Sequence, residues 1–329
     1  MISRRRLVVA LGASPLSAPL ALFAQQPKKI LRVGVLHPGL PQPAAAPASI
    51  VGLQRELRDS GYVEGKTIVV EYRYGSGNPE TLPVLALELV KLKVDVLVTI
   101  GSPSIIAAKP VAGAIPIVAI DLETDPVASG LVASYAKPGG NITGLFLDFD
   151  GLMGKWLELL REAVPALRRA AVLWDATTPQ FQLSALAAAA KARSMELEVV
   201  KFKQLAEIEA ILTAALKKRP EALIQLSSPV VSSASASIAK FTQANRLPAI
   251  SMFIAFPEAG GLMSYGPNRP IFWRRIWPLV DKILKGAKPG DIALERPTIF
   301  EMVVNMKTAK ALGLKIPQSI RLRADRVIE

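Results

Sequence analysis

The chain has 329 residues, half of them apolar, and carries a formal net charge of +13 from 40 Lys and Arg against 27 Asp and Glu. It contains no cysteine, which excludes a disulfide framework, a thiolate metal site, a cysteine nucleophile and a lipidated cysteine. Its one histidine cannot build a histidine-ligated metal site.

The first residues read as an export signal. Arg4, Arg5 and Arg6 form a charged start, Leu7 to Phe23 is apolar apart from small residues, and Ala24 offers a cleavage point. The arginine run fits the twin-arginine route as well as the general one. Gly12, Ser14, Pro15, Ser17 and Pro19 interrupt the stretch and argue against a retained membrane anchor. The chain beyond Ala24 is too long for one typical core of about 100–200 residues, so two domains are expected. The basic residues fall in small groups such as Arg168-Arg169 and Lys217-Lys218-Arg219. Without a basic stripe interleaved with aromatics they read as solvated faces, and no nucleic-acid partner is expected.

Ile30 to Leu36 is the first expected strand, followed by a Pro/Ala-rich loop from Pro38 to Pro47 and helical spacing over Ile50 to Leu57. Thr67 to Tyr74 alternates as a strand, Leu82 to Leu92 as an amphipathic helix, and Val94 to Ile100 as a third strand. A helix over Ser104 to Val111 and a strand over Ile115 to Ile120 come next. Pro138-Gly139-Gly140-Asn141 breaks the alternation, which restarts with a helix from Gly154 to Val164. Strands over Ala170 to Trp174, Glu196 to Lys201, Ala222 to Leu226 and Ala249 to Met252 then alternate with helices. The tail adds a short strand, Gly261 to Tyr265, a helix from Phe272 to Leu284, and a final strand and helix. Alternation of this kind builds parallel sheets, and ligands bind outside the carboxyl ends of their strands.

Four strand ends share one plan, in which an apolar run meets small polar residues and a proline before a helix: His37-Pro38, Gly101-Ser102-Pro103-Ser104, Trp174-Asp175-Ala176-Thr177-Thr178 and Ser227-Ser228-Pro229. Hydroxyls and free N–H groups at these helix starts suit a carboxylate or other oxyanion, and the same hydroxyls suit helix capping. His37 fits a capped, structural imidazole as well as a ligand contact. Asp121, Glu123 and Asp125 place three carboxylates in one loop, for capping, for a cationic ligand group, or for acid–base work. Trp174 and Tyr265 are placed to stack on a flat ligand, whereas Tyr74 and Phe181 read as packing. No phosphate loop, zincin motif or nucleophile elbow occurs. Neither a catalytic residue, a cofactor nor a metal is expected.

Seven blocks in order carry a resemblance. Gly61-Tyr62-Val63-Glu64-Gly65, Asp125-Pro126-Val127, Pro138 to Gly144 and Gly260 to Gly266 are the first four. Ile283 to Pro289, Asn305 to Leu314 and Ala324 to Glu329 complete them. Together they resemble the ABC-transporter substrate-binding family that includes tryptophan and tyrosine binders. The resemblance implies an α/β fold of two Rossmann-like lobes with parallel sheets in the type I periplasmic-binding-protein architecture, joined by three crossings. It also implies a periplasmic receptor that passes a small-molecule solute to an ABC permease in the inner membrane.

On that plan residues 1–24 are the signal peptide, 25–142 plus 252–288 the first lobe, and 143–251 plus 289–329 the second, with hinges near Asn141, Ser251 and Pro289. The expected ligand set is His37, Ser102, Pro103, Ser104, Asp121, Asp125, Trp174, Asp175, Thr177, Thr178, Ser227, Ser228 and Tyr265. The protein is expected to act as a monomer and not as an enzyme. An exported enzyme on the same fold, or a sensor for a membrane kinase, is the alternative. One departure stands out: amino-acid binders of the family carry an Asp-Asn-like pair where this chain has Ser227-Ser228, which leaves Asp125 or Asp175 to supply the missing charge.

Overall fold

The computed structural model describes residues 29–41, 56–147, 151–268, 271 and 274–329. The expected export signal and most of the loop and helix expected over 38–57 lie outside these residues. Two sheets organise the chain, and the expected α/β class with mainly parallel sheets is what is found.

The first sheet has the order β2-β1-β3-β4-β5. Its strands are β1 (Leu31–His37), β2 (Ile68–Tyr74), β3 (Val96–Ile100), β4 (Ile117–Asp121) and β5 (Ile142–Phe146). All its pairs are parallel. Helices cover both of its faces, which is why β3, β4 and β5 are buried throughout and mostly apolar, not alternating. Leu97, Ile117 and Phe146 pack on one side with Leu89 and Ile105 from the helices Leu82–Lys91 and Gly101–Ala112. Val98, Val118 and Leu145 face the other side and join a core that continues into the second lobe.

The second sheet has the order β12-β11-β10-β9-β8-β6-β7. Its strands are β6 (Arg169–Asp175), β7 (Glu196–Phe202), β8 (Ala222–Gln225), β9 (Ala249–Ser251), β10 (Met263–Pro267), β11 (Phe300–Asn305) and β12 (Arg326–Ile328). Only the β10/β11 pair is antiparallel. Among the described residues no helix is long and apolar enough to cross a membrane.

Strand pairing moves the lobe boundaries. Ile142–Phe146 pairs with β4 and closes the first sheet, so the first crossing follows β5 and does not lie at Asn141. Met263–Pro267 pairs with β9 and β11, so the segment 252–267 belongs to the second lobe. The chain then returns to the first lobe through the helix Ile276–Leu284. Its Trp277 Nε1 donates to Ser60 Oγ at 2.9 Å, and its Asp281 accepts from the Tyr62 hydroxyl at 2.9 Å. Residues 289–295 stay with that lobe, since Thr143 Oγ1 donates to the Ile292 carbonyl at 2.9 Å and the Glu295 N–H donates to the Gly144 carbonyl at 2.9 Å. The last crossing therefore precedes β11 and not Pro289.

The sequence pattern placed neither β5 nor the short β12, and in β5 a glycine breaks the apolar run. At Gly144 φ is +149°, and a Cβ would lie 1.9 Å from the Ala119 carbonyl oxygen. Only glycine lets β5 lie against β4 there.

Candidate functional site

The carboxyl ends of β3 and β4 in one lobe face those of β6 and β8 in the other, and their loops touch. The Ser227 hydroxyl, just past β8, donates to Glu123 Oε1 at 2.7 Å, just past β4. Beside this bond Gly101 meets Pro229: φ at Gly101 is +73°, and a Cβ there would lie 2.5 Å from Pro229 Cγ. On the flank the Leu205 N–H donates to the Gly77 carbonyl at 3.2 Å.

Glu123 is the centre of the arrangement. It is 2% exposed, and its Oε2 accepts from the Ser102 N–H at 3.3 Å, at the start of the helix Gly101–Ala112. Its own N–H donates to Asp121 Oδ1 at 2.8 Å, which folds the loop back over the strand end. Burial holds the Glu123 carboxyl well above the ordinary carboxylate range, and the neighbouring Asp121 pushes the same way. Burial raises Asp121 also.

In the second lobe Asp175 ends β6 and is 1% exposed. Its Oδ1 accepts from the Thr177 N–H at 2.9 Å and the Thr177 hydroxyl at 2.6 Å, and its Oδ2 accepts from the Ser228 hydroxyl at 2.6 Å. Burial raises this carboxyl despite the three hydrogen bonds, each of which favours the charged form. Ser228 Oγ in turn accepts from the Val230 N–H at 3.0 Å and so caps the short helix Pro229–Ser233. Gln182 fixes Ser227 by its backbone, giving Nε2 to the Ser227 carbonyl at 2.9 Å and taking the Ser227 N–H on Oε1 at 2.8 Å. The Ser227 side chain is thereby left to reach across to Glu123.

The other expected residues separate into those near this cluster and those engaged in local structure. Ser102, Pro103 and Ser104 are buried in the first turn of the helix Gly101–Ala112. Asp125 serves its own turn, its Oδ1 accepting from the Val127 N–H at 2.9 Å and the Ala128 N–H at 3.0 Å. His37 Nδ1 accepts from the Gly39 N–H at 2.9 Å, and its ring lies 5.7 Å from that of Tyr74. Trp174 packs in the main core and donates from Nε1 to the Thr178 hydroxyl at 3.2 Å, which donates to the Asp175 carbonyl at 2.7 Å. Tyr265 stacks on Phe300 with ring centroids 5.8 Å apart, within β10 and β11.

Glu123 and Gln182 were absent from the expected set. Glu123 had a sequence signal, since it stands in the three-carboxylate loop, whereas Gln182 is an ordinary helix residue until the fold brings it to Ser227. Several buried polar atoms among the described residues make no hydrogen bond within the protein: Thr99 Oγ1, Ser102 Oγ, Ser104 Oγ, Asp121 Oδ2 and Thr124 Oγ1 in the first lobe, and the Gln225 amide and Ser264 Oγ in the second. Buried polar groups are normally satisfied, so a concentration of exceptions at strand ends marks a functional region. No cluster of three or more His, Cys, Asp or Glu suited to a metal ion occurs among the described residues.

Comparison with known proteins agrees with this architecture. The profile of a family described as ABC transporter substrate binding protein matches residues 35–328. A tyrosine-binding protein of Clostridioides difficile (strain R20291) is 26% identical over 280 residues, covering 84% of this chain and 78% of the relative. A conserved domain protein from Vibrio cholerae O1 biovar El Tor superposes with a TM-score of 0.82 at 25% identity, covering 91% of this chain and 100% of that one. An ABC domain from Streptococcus pneumonia in complex with L-Trp shares the fold, with a TM-score of 0.81 at 23% identity and coverage of 91% and 100%.

Proposed function

From the premise that this chain belongs to the ABC transporter substrate binding protein family, we propose that it is an exported solute receptor that captures a small organic molecule between its lobes and presents it to an ABC permease. The observation that carries this reading is the buried bond from Ser227 to Glu123, which joins the strand-end loops of the two lobes inside a set of unsatisfied polar groups. Ser102, Asp121, Glu123, Asp175, Ser227 and Ser228 are the residues proposed to surround the solute. The tyrosine-binding relative and the L-Trp complex support an amino-acid-like or aromatic solute of that size.

Function arises from a shift between open and closed forms. When the lobes part, Glu123 and Ser227 exchange their mutual bond for water; when they close, the strand ends enclose the solute. A solute favours closure only by binding the closed form better than the open one. The crossings after β5, after β10 and before β11 are the hinges of this motion, and the closed surface is what the permease reads.

A thermal-shift screen over amino acids, aromatic acids, amines and small carboxylates tests the proposal. A solute at about 100 times its dissociation constant adds about 2.7 kcal/mol of stability. Recovery of that solute unchanged and in equimolar amount supports a receptor, whereas turnover abolished by changing His37, Glu123 or Asp125 overturns it in favour of an exported enzyme.

A further inference from the structure

The charge of the buried site runs against the charge of the chain. The protein carries +13 overall, yet its buried charged side chains among the described residues are Asp121, Glu123 and Asp175, all at the facing strand ends, with no Lys or Arg among them. Consecutive residues tie the three together, Ser227 holding Glu123 and Ser228 holding Asp175.

The place that would ordinarily attract an anion is already taken. The positive end of the helix Gly101–Ala112 points its Ser102 N–H at Glu123 Oε2, 3.3 Å away, so the protein's own carboxyl occupies the position a solute carboxylate would seek. What the cluster lacks is positive donors. Asp121 Oδ2 is buried and accepts no hydrogen bond. Thr124 Oγ1 and Ser102 Oγ, each on a residue 1% exposed, make no hydrogen bond within the protein either. Carboxylates removed from water are costly unless a cation or enough donors meet them.

We propose that the group recognised in this cleft is a positively charged nitrogen of the solute, an ammonium or guanidinium set against Asp121, Glu123 and Asp175, and that a carboxylate on the solute is dispensable. This rests on the receptor reading above. An ammonium brings three donors and a guanidinium five, which suits a site rich in acceptors. A solute bearing only a carboxylate finds no Lys or Arg among the buried described residues to pair with it. Burial raises the Asp121 and Glu123 carboxyls, so a cation that favours their ionised form releases protons as it enters, and affinity for it rises with pH through the raised range.

Amine and acid probes of matched skeleton separate these ideas: tryptamine against indole-3-propionate, tyramine against 3-(4-hydroxyphenyl)propionate, and cadaverine against glutarate, measured by calorimetry on the mature chain. The expected result is that at least one amine binds 100-fold or more tightly than its acid partner. For that amine, affinity falls 10-fold or more in Glu123→Gln and in Asp175→Asn, whose side chains keep shape and hydrogen bonding. Should a variant fail to fold, the affinity of the wild type for the amine between pH 5 and 8 replaces it, and a flat profile refutes the proposal. Equal or tighter binding of an acid overturns the cation reading and leaves the receptor reading standing. Binding of L-tryptophan with all three amines silent does the same, because it makes the carboxylate indispensable. Silence from all amines and acids, with a response to an uncharged solute, also overturns the cation reading alone; silence from every solute class tells against both.

Discussion

Replacing Ser227 by alanine isolates the contact between the lobes. The Ser227 backbone keeps both hydrogen bonds to Gln182, so the β8 loop retains its position and only the hydroxyl at 2.7 Å from Glu123 Oε1 is lost. In the closed form this leaves a buried carboxyl oxygen without its donor, at a cost of about 1–3 kcal/mol, whereas in the open form water satisfies the same oxygen. The closed-to-open ratio should therefore fall about 5- to 150-fold. Because the chain has no cysteine, Lys91→Cys on the first lobe and Lys217→Cys on the second, both exposed, give a labelled pair for single-molecule energy transfer. The variant should populate a longer distance than the parent in the absence of solute, and bind solute more weakly by the same factor. A distance distribution and an affinity both within twofold of the parent would refute the role given to this bond.

The same geometry has further consequences. Gly101→Ala strains a backbone at φ +73° and drives a Cβ to 2.5 Å from Pro229 Cγ; it should weaken closure and solute affinity while changing the melting temperature of the open chain little beyond the roughly 1–2 kcal/mol of left-handed strain. Gly144→Ala sets a Cβ 1.9 Å from the Ala119 carbonyl inside the β4/β5 ladder, and a denaturant titration should show a loss of about 2–5 kcal/mol from strain plus overpacking. Asn305→Ala removes the cap accepted from the Thr308 N–H at 3.0 Å and the donor to the Pro257 carbonyl at 2.9 Å, for an expected loss of about 1–3 kcal/mol. Glu123 also sets a pH dependence. Its carboxyl is raised in the folded chain, so its contribution is greatest below the ordinary carboxylate range and is lost as pH climbs from that range through the raised value. Melting temperature against pH should therefore fall less steeply above pH 5 in Glu123→Gln than in the parent, and parallel curves would contradict this.

The sequence conveyed the strands of the fold more fully than the contacts of the site, for physical reasons. Buried parallel strands are short apolar runs, and β1, β3, β4, β6, β8 and β9 are all found within two residues or so of where the pattern places them. β5 escaped because the glycine that permits its close approach also dilutes its apolar signal. The lobe boundaries moved for the same reason, since the Pro138-Gly139-Gly140 turn looks like the end of a domain but leads into one more strand. Within the site, Asp121, Asp175, Ser227 and Ser228 were legible as strand-end polar residues. Glu123 and Asp125 stand in the same loop, two residues apart, and pattern alone does not separate them: Asp125 spends its Oδ1 on two N–H groups of its own turn, while Glu123 crosses to a residue 104 positions away. A pairing at that separation depends on how two lobes dock, which no local pattern encodes. Tyr265 offers an aromatic face suited to a flat ligand, but the antiparallel register of β10 and β11 brings it onto Phe300.

Small-angle X-ray scattering of the mature chain, with and without the solute that most raises its melting temperature, tests interlobe capture most directly. The expected result is a smaller radius of gyration at saturation, with the change centred at the same solute concentration as binding. Tight, equimolar binding with an unchanged radius of gyration in both the parent and the Ser227→Ala variant would contradict it.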